Sequence, residues 1–389
     1  MNKTHLGASA GSMPREGATG VYVDVLSRLP EEGFNPALLV KHDVLLRDGE
    51  EQRFPDAQYA PVLRAAGVRL DTLGKRDDGS SSIPAYTTED VERAAAFAKQ
   101  HDVITTLEER PLSLWNEVGD TPPIVAQLYR SGHNKPDHEI HALKEGLQAG
   151  RIVVATVDSD ASKAAYLERG VPAGNIKVVH NGIDLDKFHP SEKERARVRG
   201  ELGIEEDAPV VLFIGRFSPE KDVPLLLDSA DALFNRGDDV ARRAHVILAG
   251  TGLTPDNPEM RALITERLGN DPEHLARLHA LGPRSDFASM YPASDVLAIT
   301  SATESRPLCI SEAYASGLNV VASTDVGDAA SMIGEHGIIT SRHPEEIAES
   351  WVQAYTNRDA IGYDLANREE LGIKPMVRGY SAIIRSALK

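Results

Sequence analysis

Val210-Val211-Leu212-Phe213-Ile214-Gly215-Arg216-Phe217-Ser218-Pro219-Glu220-Lys221-Asp222-Val223 changes character twice within a few residues. Val210–Ile214 is apolar at every position, as a strand covered on both faces must be. Gly215 and Pro219 interrupt the run. A helix is then predicted over Val223–Phe234. The same strand, loop and helix order recurs on either side. Downstream, His245–Ala249 runs into Gly250-Thr251-Gly252, and Leu278–Gly282 precedes a helix read at Ser285–Tyr291. Val296–Ile299 precedes a loop and the helix Ile310–Ala315, followed by strands at Asn319–Ala322 and Gly337–Thr340 and a helix over Pro344–Tyr355. Upstream, a helix over Gly20–Leu29 carries Val21, Val25 and Leu29 at helical spacing. Short strands are read at Ala37–Val40, Val68–Leu70, Val103–Leu107, Ile124–Leu128, Ile152–Val157 and Ile176–Val179, with a helix over Thr88–Lys99 and a polar loop at Asp77–Ser82. Such alternation is the pattern of α/β domains with parallel sheets covered by helices.

A chain of 389 residues exceeds what one core usually serves. We therefore read two Rossmann-like domains, residues 1–186 and 187–389, with the last helix packing back on the first. About Asn2–Ala8 should form the first strand, yet it is poor in apolar residues, so a distorted strand or an irregular start is expected. Formal net charge is -17, which argues against a nucleic-acid partner, since phosphate backbones need a basic face. No window holds eighteen consecutive apolar residues, so no transmembrane segment is expected. A single cysteine, Cys309, precludes an intrachain disulfide and suits the reducing cytoplasm, and the first twelve residues do not read as a signal peptide.

Candidate chemistry concentrates in loops that follow strands, where open parallel sheets bind their ligands. Ala302-Thr303-Glu304-Ser305-Arg306-Pro307-Leu308-Cys309-Ile310-Ser311-Glu312 leads from one strand into a helix. Carboxylates at Glu304 and Glu312 suit vicinal hydroxyls of a sugar or ribose, because each can accept two hydrogen bonds. The helix start offers backbone N–H groups to a phosphate. Two glutamates flanking a helix start are equally compatible with plain surface positions. In the loop after Val210–Ile214, Gly215 keeps the turn tight, Arg216 can fork phosphate oxygens and Lys221 adds a compact charge.

Taken together, these pieces resemble the retaining glycosyltransferases of family 4. The resemblance spans His180 to about Thr340. It comprises His180-Asn181-Gly182-Ile183-Asp184 with Phe188 and Pro190, Gly215-Arg216 with Pro219-Glu220-Lys221, and Leu248-Ala249-Gly250-Thr251-Gly252 with Leu281-Gly282. Tyr291, Ala293, Asp295, the two glutamates and Ala315-Ser316-Gly317 complete the order. It implies a GT-B fold of two facing Rossmann-like domains, a nucleotide-sugar donor, retention of anomeric configuration and no required metal or other cofactor. By position, Arg216 and Lys221 would hold the donor diphosphate, Glu312 the ribose and Glu304 the donor-sugar hydroxyls. The backbone from Arg306 through Pro307 and Leu308 to Cys309 would approach sugar and phosphate, and Arg284 lies where the base-contacting loop runs. Ser305-Arg306-Pro307 replaces the family's usual Gly-aromatic-Gly, which leaves the donor sugar open. A UDP-sugar is favoured on family frequency, a GDP-sugar being the alternative. The acceptor is a carbohydrate, lipid-linked or small-molecule hydroxyl.

In the first half, Gly17-Ala18-Thr19-Gly20 falls where the family has a glycine pair. Gly17 and Gly20 would bring backbone N–H groups to the diphosphate or acceptor, or mark an ordinary helix-start turn. His133, beyond Ile124–Leu128, is the candidate to orient the sugar or share the acceptor proton, with Arg130 as rival. His133, His138, Glu139 and His141 are adequate metal ligands by type but match no ligand spacing, and no metal site is assigned. Cys309 is read as a packing residue rather than a nucleophile. Two other classes share the Rossmann-like halves or the two-domain plan. A nicotinamide-dependent oxidoreductase would want an early Gly-x-Gly-x-x-Gly, which is absent. That reading also leaves the paired cation loop without a role, whereas a non-catalytic two-domain sugar-binding protein is often exported, and no export signal is read here.

Overall fold

The computed structural model describes the chain outside residues 1–2, 11–16, 48–49, 54–58, 78–85, 109–110, 130–134, 303, 305 and 324–328, and omits the side chains of 17–18, 43–47, 50–53, 76–77 and 359. It divides into two compact units, residues 1–181 with Ile373–Lys389, and Gly182–Gly372. The unit change falls at 181/182, and the helix Ile373–Ser386 belongs to the first unit.

Among its described residues the first unit has strands β1 (Thr4–Ala10), β2 (Phe34–Arg47), β3 (Glu50–Arg53), β4 (Arg69–Asp77), β5 (Val103–Leu107), β6 (Ile124–Leu128), β7 (Ile152–Val157) and β8 (Ile176–Val178). They form one sheet in the order β4-β2-β1-β5-β6-β7-β8, all parallel, with β3 antiparallel to the far end of β2. β1 corrects the sequence expectation: it is a regular central strand. Its small residues answer a crowded site, since a Cβ on Gly7 would lie 2.9 Å from the Phe97 ring and 3.1 Å from His101. Buried Ser9 accepts the Trp115 indole N–H at 2.8 Å. β2 is far longer than the four residues read for it, and the loop read at Asp77–Ser82 lies beyond its first residue outside the described part. Gly17–Gly20 is the first turn of the helix Gly17–Arg28, not a loop.

The second unit holds β9 (Val210–Ile214), β10 (His245–Ala249), β11 (Leu278–Ala280), β12 (Val296–Ile299), β13 (Asn319–Ser323) and β14 (Gly337–Thr340). They form a parallel sheet ordered β11-β10-β9-β12-β13-β14. Read by chain order within the unit, this is the doubly wound arrangement whose direction reverses between β9 and β12, where ligands of such sheets bind. One face packs Val210, Leu212, Ile247 and Leu297 with Tyr291, Ile310 and Tyr314. The other packs Val211, Phe213 and Val246 with Leu226, Trp351 and Met260. The helix read at Ser285–Tyr291 is instead a 3-10 turn, Phe287–Ser289, followed by the short helix Met290–Ala293.

A polar helix that hydrophobic spacing does not reveal, Glu192–Leu202, is fastened by fully buried Arg199. Its guanidinium donates to the carbonyls of Ala293 (2.9 Å), Glu205 (2.8 Å) and Ala208 (2.8 Å) and pairs with Asp295 at 2.9 Å. Every donor that burial removes from water is thus matched by an acceptor, as the cost of burying a charge demands. No described helix is long and apolar enough to cross a membrane.

Candidate active site

The loop leaving β9 and the loop leaving β12 emerge side by side at the reversal point of the second sheet. Three backbone ties hold the neighbouring loops at fixed height. Gly215 donates to the Ala249 carbonyl (3.1 Å), Phe217 to Thr251 (2.8 Å) and Gly250 to Gly282 (2.9 Å). Gly250 has φ +143°, and a Cβ there would stand 1.7 Å from the Gly215 oxygen. The glycine is therefore required by the close approach of two backbones.

Lys221 ends a short 3-10 turn, Pro219–Lys221, and its ammonium pairs with Glu304 across the two loops. Both side chains are mostly buried, and Ser301 Oγ donates to the same Glu304 oxygen at 2.8 Å. The sequence spacing of 83 residues between Lys221 and Glu304 is closed by the β9–β12 pairing. Arg216 differs: its side chain is 72% exposed and reaches only Glu220, at 3.1 Å, among the described contacts. Both cations thus have a carboxylate partner, but the Arg216 pair is exposed where the Lys221 pair is mostly buried.

Glu312 lies about one turn into the helix Leu308–Ala315 that follows the β12 loop. Its carboxyl accepts the Tyr291 hydroxyl. Burial pushes its pKa up to about 6, against the pull of the Tyr291 hydroxyl and the Lys187 charge. Lys187 itself lies over the Phe287 ring at 4.1 Å. Neither Lys187 nor Tyr291 was assigned a role from sequence; the aromatic run Phe188, Phe287 and Tyr291, with Phe188 edge-on to Tyr291 at 5.4 Å, is the trace they leave. Pro307 stands at the N-cap and, being proline, brings no side-chain acceptor to the first turn of the helix. Arg306 is half-buried in the approach to this turn. Burial holds the Cys309 thiol up at about 12, which suits packing and not nucleophilic attack.

Arg284 sits at the C-terminal side of β11 with its guanidinium engaged by two carboxylates, Glu201 at 2.7 Å and Asp286 at 2.8 Å. Hydrogen bonds from Arg284 and then Arg197 hold the Asp286 carboxyl well below the usual carboxylate range. The side chain braces the helix Glu192–Leu202 to this loop, and a base contact from it would require exchanging those partners.

In the first unit, His133 and Arg130 lie outside the described residues. Their flanks converge on Glu108, at the end of β5, which takes a left-handed φ of +63°. Its carboxylate accepts the Tyr129 N–H at 3.2 Å and pairs with buried Lys135. Lys135 also faces Glu139 at 3.9 Å. Glu139 is buried while His138 and His141 are exposed on the same helix, Asp137–Gln148, so the glutamate serves Lys135 and not the histidines. Among the described residues no group of three or more His, Cys, Asp or Glu could hold a metal ion. Gly20 has room for a Cβ, 3.6 Å from the Tyr59 hydroxyl, so among the described residues no packing requires glycine there.

Residues 208–357 match the model of the family described as Glycosyl transferases group 1. The second unit thus carries a group 1 glycosyl transferase domain, and the two parallel-sheet units have the GT-B fold expected from the resemblance. Among curated relatives, a D-inositol 3-phosphate glycosyltransferase of Kribbella flavida is 30% identical over 243 residues, covering 61% of this chain and 54% of that protein. One from Mycobacterium bovis is 34% identical over 201 residues, covering 50% and 38%. The chain spans about half the length of the curated relatives it matches. Among solved structures, Anabaena Alr3699/HepE in complex with UDP superposes with a TM-score of 0.78 at 19% identity, over 98% of this chain and 100% of that one. The same protein in complex with UDP-glucose gives 0.74 at 20% identity, over 98% and 99%.

Proposed function

We propose that this chain is a retaining glycosyltransferase that moves a sugar from a nucleotide-sugar donor, UDP-linked in preference to GDP-linked, to an acceptor hydroxyl. The observation that carries it is the Lys221–Glu304 pair at the reversal point of the second sheet, with Glu312 beside it on the following helix. The group 1 match over the same residues, the naming of the relatives and the UDP bound to HepE support the reading.

In this proposal the donor diphosphate replaces Glu304 as the partner of Lys221. Arg216 and the backbone N–H groups of Arg306, Leu308 and Cys309 complete its neutralisation as the nucleoside diphosphate leaves, which is stabilisation of charge that develops in the transition state. Glu304, released, accepts from donor-sugar hydroxyls. Glu312, held by Tyr291, accepts from the ribose. His133 or Arg130 is the first unit's contribution, and no carboxylate serves as a covalent nucleophile. Two side-chain cations on the diphosphate take the place a divalent metal has in other transferases, so activity persists in EDTA. The curated relatives are named for inositol 3-phosphate, which makes a phosphorylated polyol the first acceptor to try. Cys309, with no partner for a disulfide, fits a cytoplasmic setting.

The test is calorimetry of the whole chain with UDP, GDP and ADP and their glucose, mannose and galactose forms, followed by NMR of the product made with the best donor. Binding of a nucleoside diphosphate and a product of unchanged anomeric configuration are expected. A folded protein that binds none of the panel overturns the reading, and an inverted product overturns retention.

A further inference from the structure

Arg342, in the loop after β14, makes four contacts that reach the other side of the second sheet's open end. Its Nη1 donates to the Ser301 carbonyl at 3.0 Å and to Ser323 Oγ at 2.9 Å. Its Nη2 donates to the Thr300 carbonyl at 3.1 Å and pairs with the Asp222 carboxylate. Thr300, Ser301 and Asp222 each lead on to the donor site. Thr300 Oγ1 donates to the carbonyls of Lys221 (3.1 Å) and Asp222 (3.3 Å). Ser301 Oγ donates to Glu304 at 2.8 Å, and Ala302 donates to the Glu220 carbonyl at 2.8 Å. Asp222 directly follows Lys221 and has φ +46°, a conformation that costs a non-glycine residue about 1 kcal/mol or more unless its surroundings impose it. One of its oxygens caps the helix Val223–Phe234 through Leu225, at 3.3 Å, and the other meets Arg342.

Of these contacts only Ser323, the last residue of β13, belongs to a strand. The β12–β13 pairing ends at Ile299, one residue before Thr300, and β14 ends two residues before Arg342. Arg342 binds the backbone and side chains beyond that ladder and adds a third element to the ties that Thr300, Ala302 and Glu304 already make between the two loops. A planar guanidinium with five donors can reach a carboxylate, a hydroxyl and two carbonyls at once, and a lysine cannot. We propose that Arg342 is a positioning residue for glycosyl transfer: it fixes the loop ends so that the Lys221 ammonium and the Glu304 carboxylate face the donor's diphosphate and sugar. The inference rests on the donor-site reading above.

Arg342→Gln and Arg342→Lys in the whole chain test it, with Thr300→Val as a near-isosteric third variant that cuts only the link to the Lys221 and Asp222 carbonyls. Uridine, UDP and UDP-glucose are the probes. Uridine should bind all variants as it binds the wild type, because its contacts run through Glu312 and Tyr291. UDP should weaken about tenfold, and kcat should fall by more than KM rises, within the roughly 100-fold that a small misplacement of reacting groups can cost. On a Lys221→Met background, Arg342→Gln should add little further loss for UDP, since residues acting as one unit are not additive. Full multiplicative loss on that background, or loss of uridine together with UDP, overturns the proposal. If Arg342→Gln does not fold, Thr300→Val carries the comparison, and wild-type UDP binding in Thr300→Val overturns it. A wild-type protein that binds none of the three probes removes the donor-site reading, and this inference falls with it.

Discussion

Glu304 and Glu312 stand eight positions apart in sequence and in different electrical surroundings. Glu304 faces an ammonium; Glu312 faces a hydroxyl and a largely apolar wall. Glu312→Gln should weaken UDP and UDP-sugar alike, whereas Glu304→Gln should spare UDP and lower transfer. The cost of a lost contact to a buried hydroxyl is about 1–3 kcal/mol, readable by calorimetry beside steady-state rates. Equal loss of UDP in both variants would refute the division. The raised pKa of Glu312 adds a pH dependence. Its folded pKa, about 6, lies above the 4.5 of an unperturbed glutamate, so the folded state holds the proton more tightly. Stability from this group is full below about 4.5 and is lost as pH rises through about 6. Relative to wild type, Glu312→Gln should therefore gain up to about 2 kcal/mol as pH climbs from 4.5 to 7, visible as diverging melting curves. Nucleotide affinity runs the opposite way, falling as pH drops below about 6, because the ribose needs the carboxylate as an acceptor. Flat affinity between pH 5 and 7 would remove Glu312 from the ribose.

At the scale of elements, the second unit was legible wherever a strand is mostly apolar and a loop carries Gly or Pro. Val210–Ile214, His245–Ala249 and Val296–Ile299 appear at the residues read for them. Elements held by polar contacts escaped. Glu192–Leu202 shows no apolar stripe because it is tied down by Arg199 and Asp295, a pair 96 residues apart. β1 looked unfit for a centre because its small residues make room for Phe97, which no local pattern discloses. In the site, residue types and order were readable, but pairing was not. That Lys221 meets Glu304, that Arg284 is spent on Glu201 and Asp286, and that Arg342 joins the group are consequences of strand order. The loop ties make a sharp prediction. Gly250→Ala forces apart the turns after β9 and β10, since its Cβ would meet backbone with no side chain able to move aside. A loss of about 2–4 kcal/mol is expected by urea unfolding, with weaker UDP binding in the fraction that folds. A neutral result would mean the two loops are not held at this approach.

At the scale of the whole chain, the helix Ile373–Ser386 completes the first unit. It buries Met376, Val377, Tyr380 and Ile384, and Arg385 lies over the Phe34 ring at 4.9 Å. Deleting residues 373–389 should destabilise the first unit by several kcal/mol, since four apolar or aromatic side chains lose their burial at about 1.5–3 kcal/mol each. Hydrogen exchange should show the loss in β1 and β6 and leave β9 to β14 protected; uniform loss across both units would contradict the division described. The order of synthesis gives that division a direction in time. Residues 182–372 leave the ribosome as one uninterrupted stretch, with every strand of their sheet in hand. The first unit, begun earlier, waits for its closing helix until that stretch has been made. The part that starts first is thus finished last, and during the interval its uncovered face is the one a chaperone would find on the nascent chain.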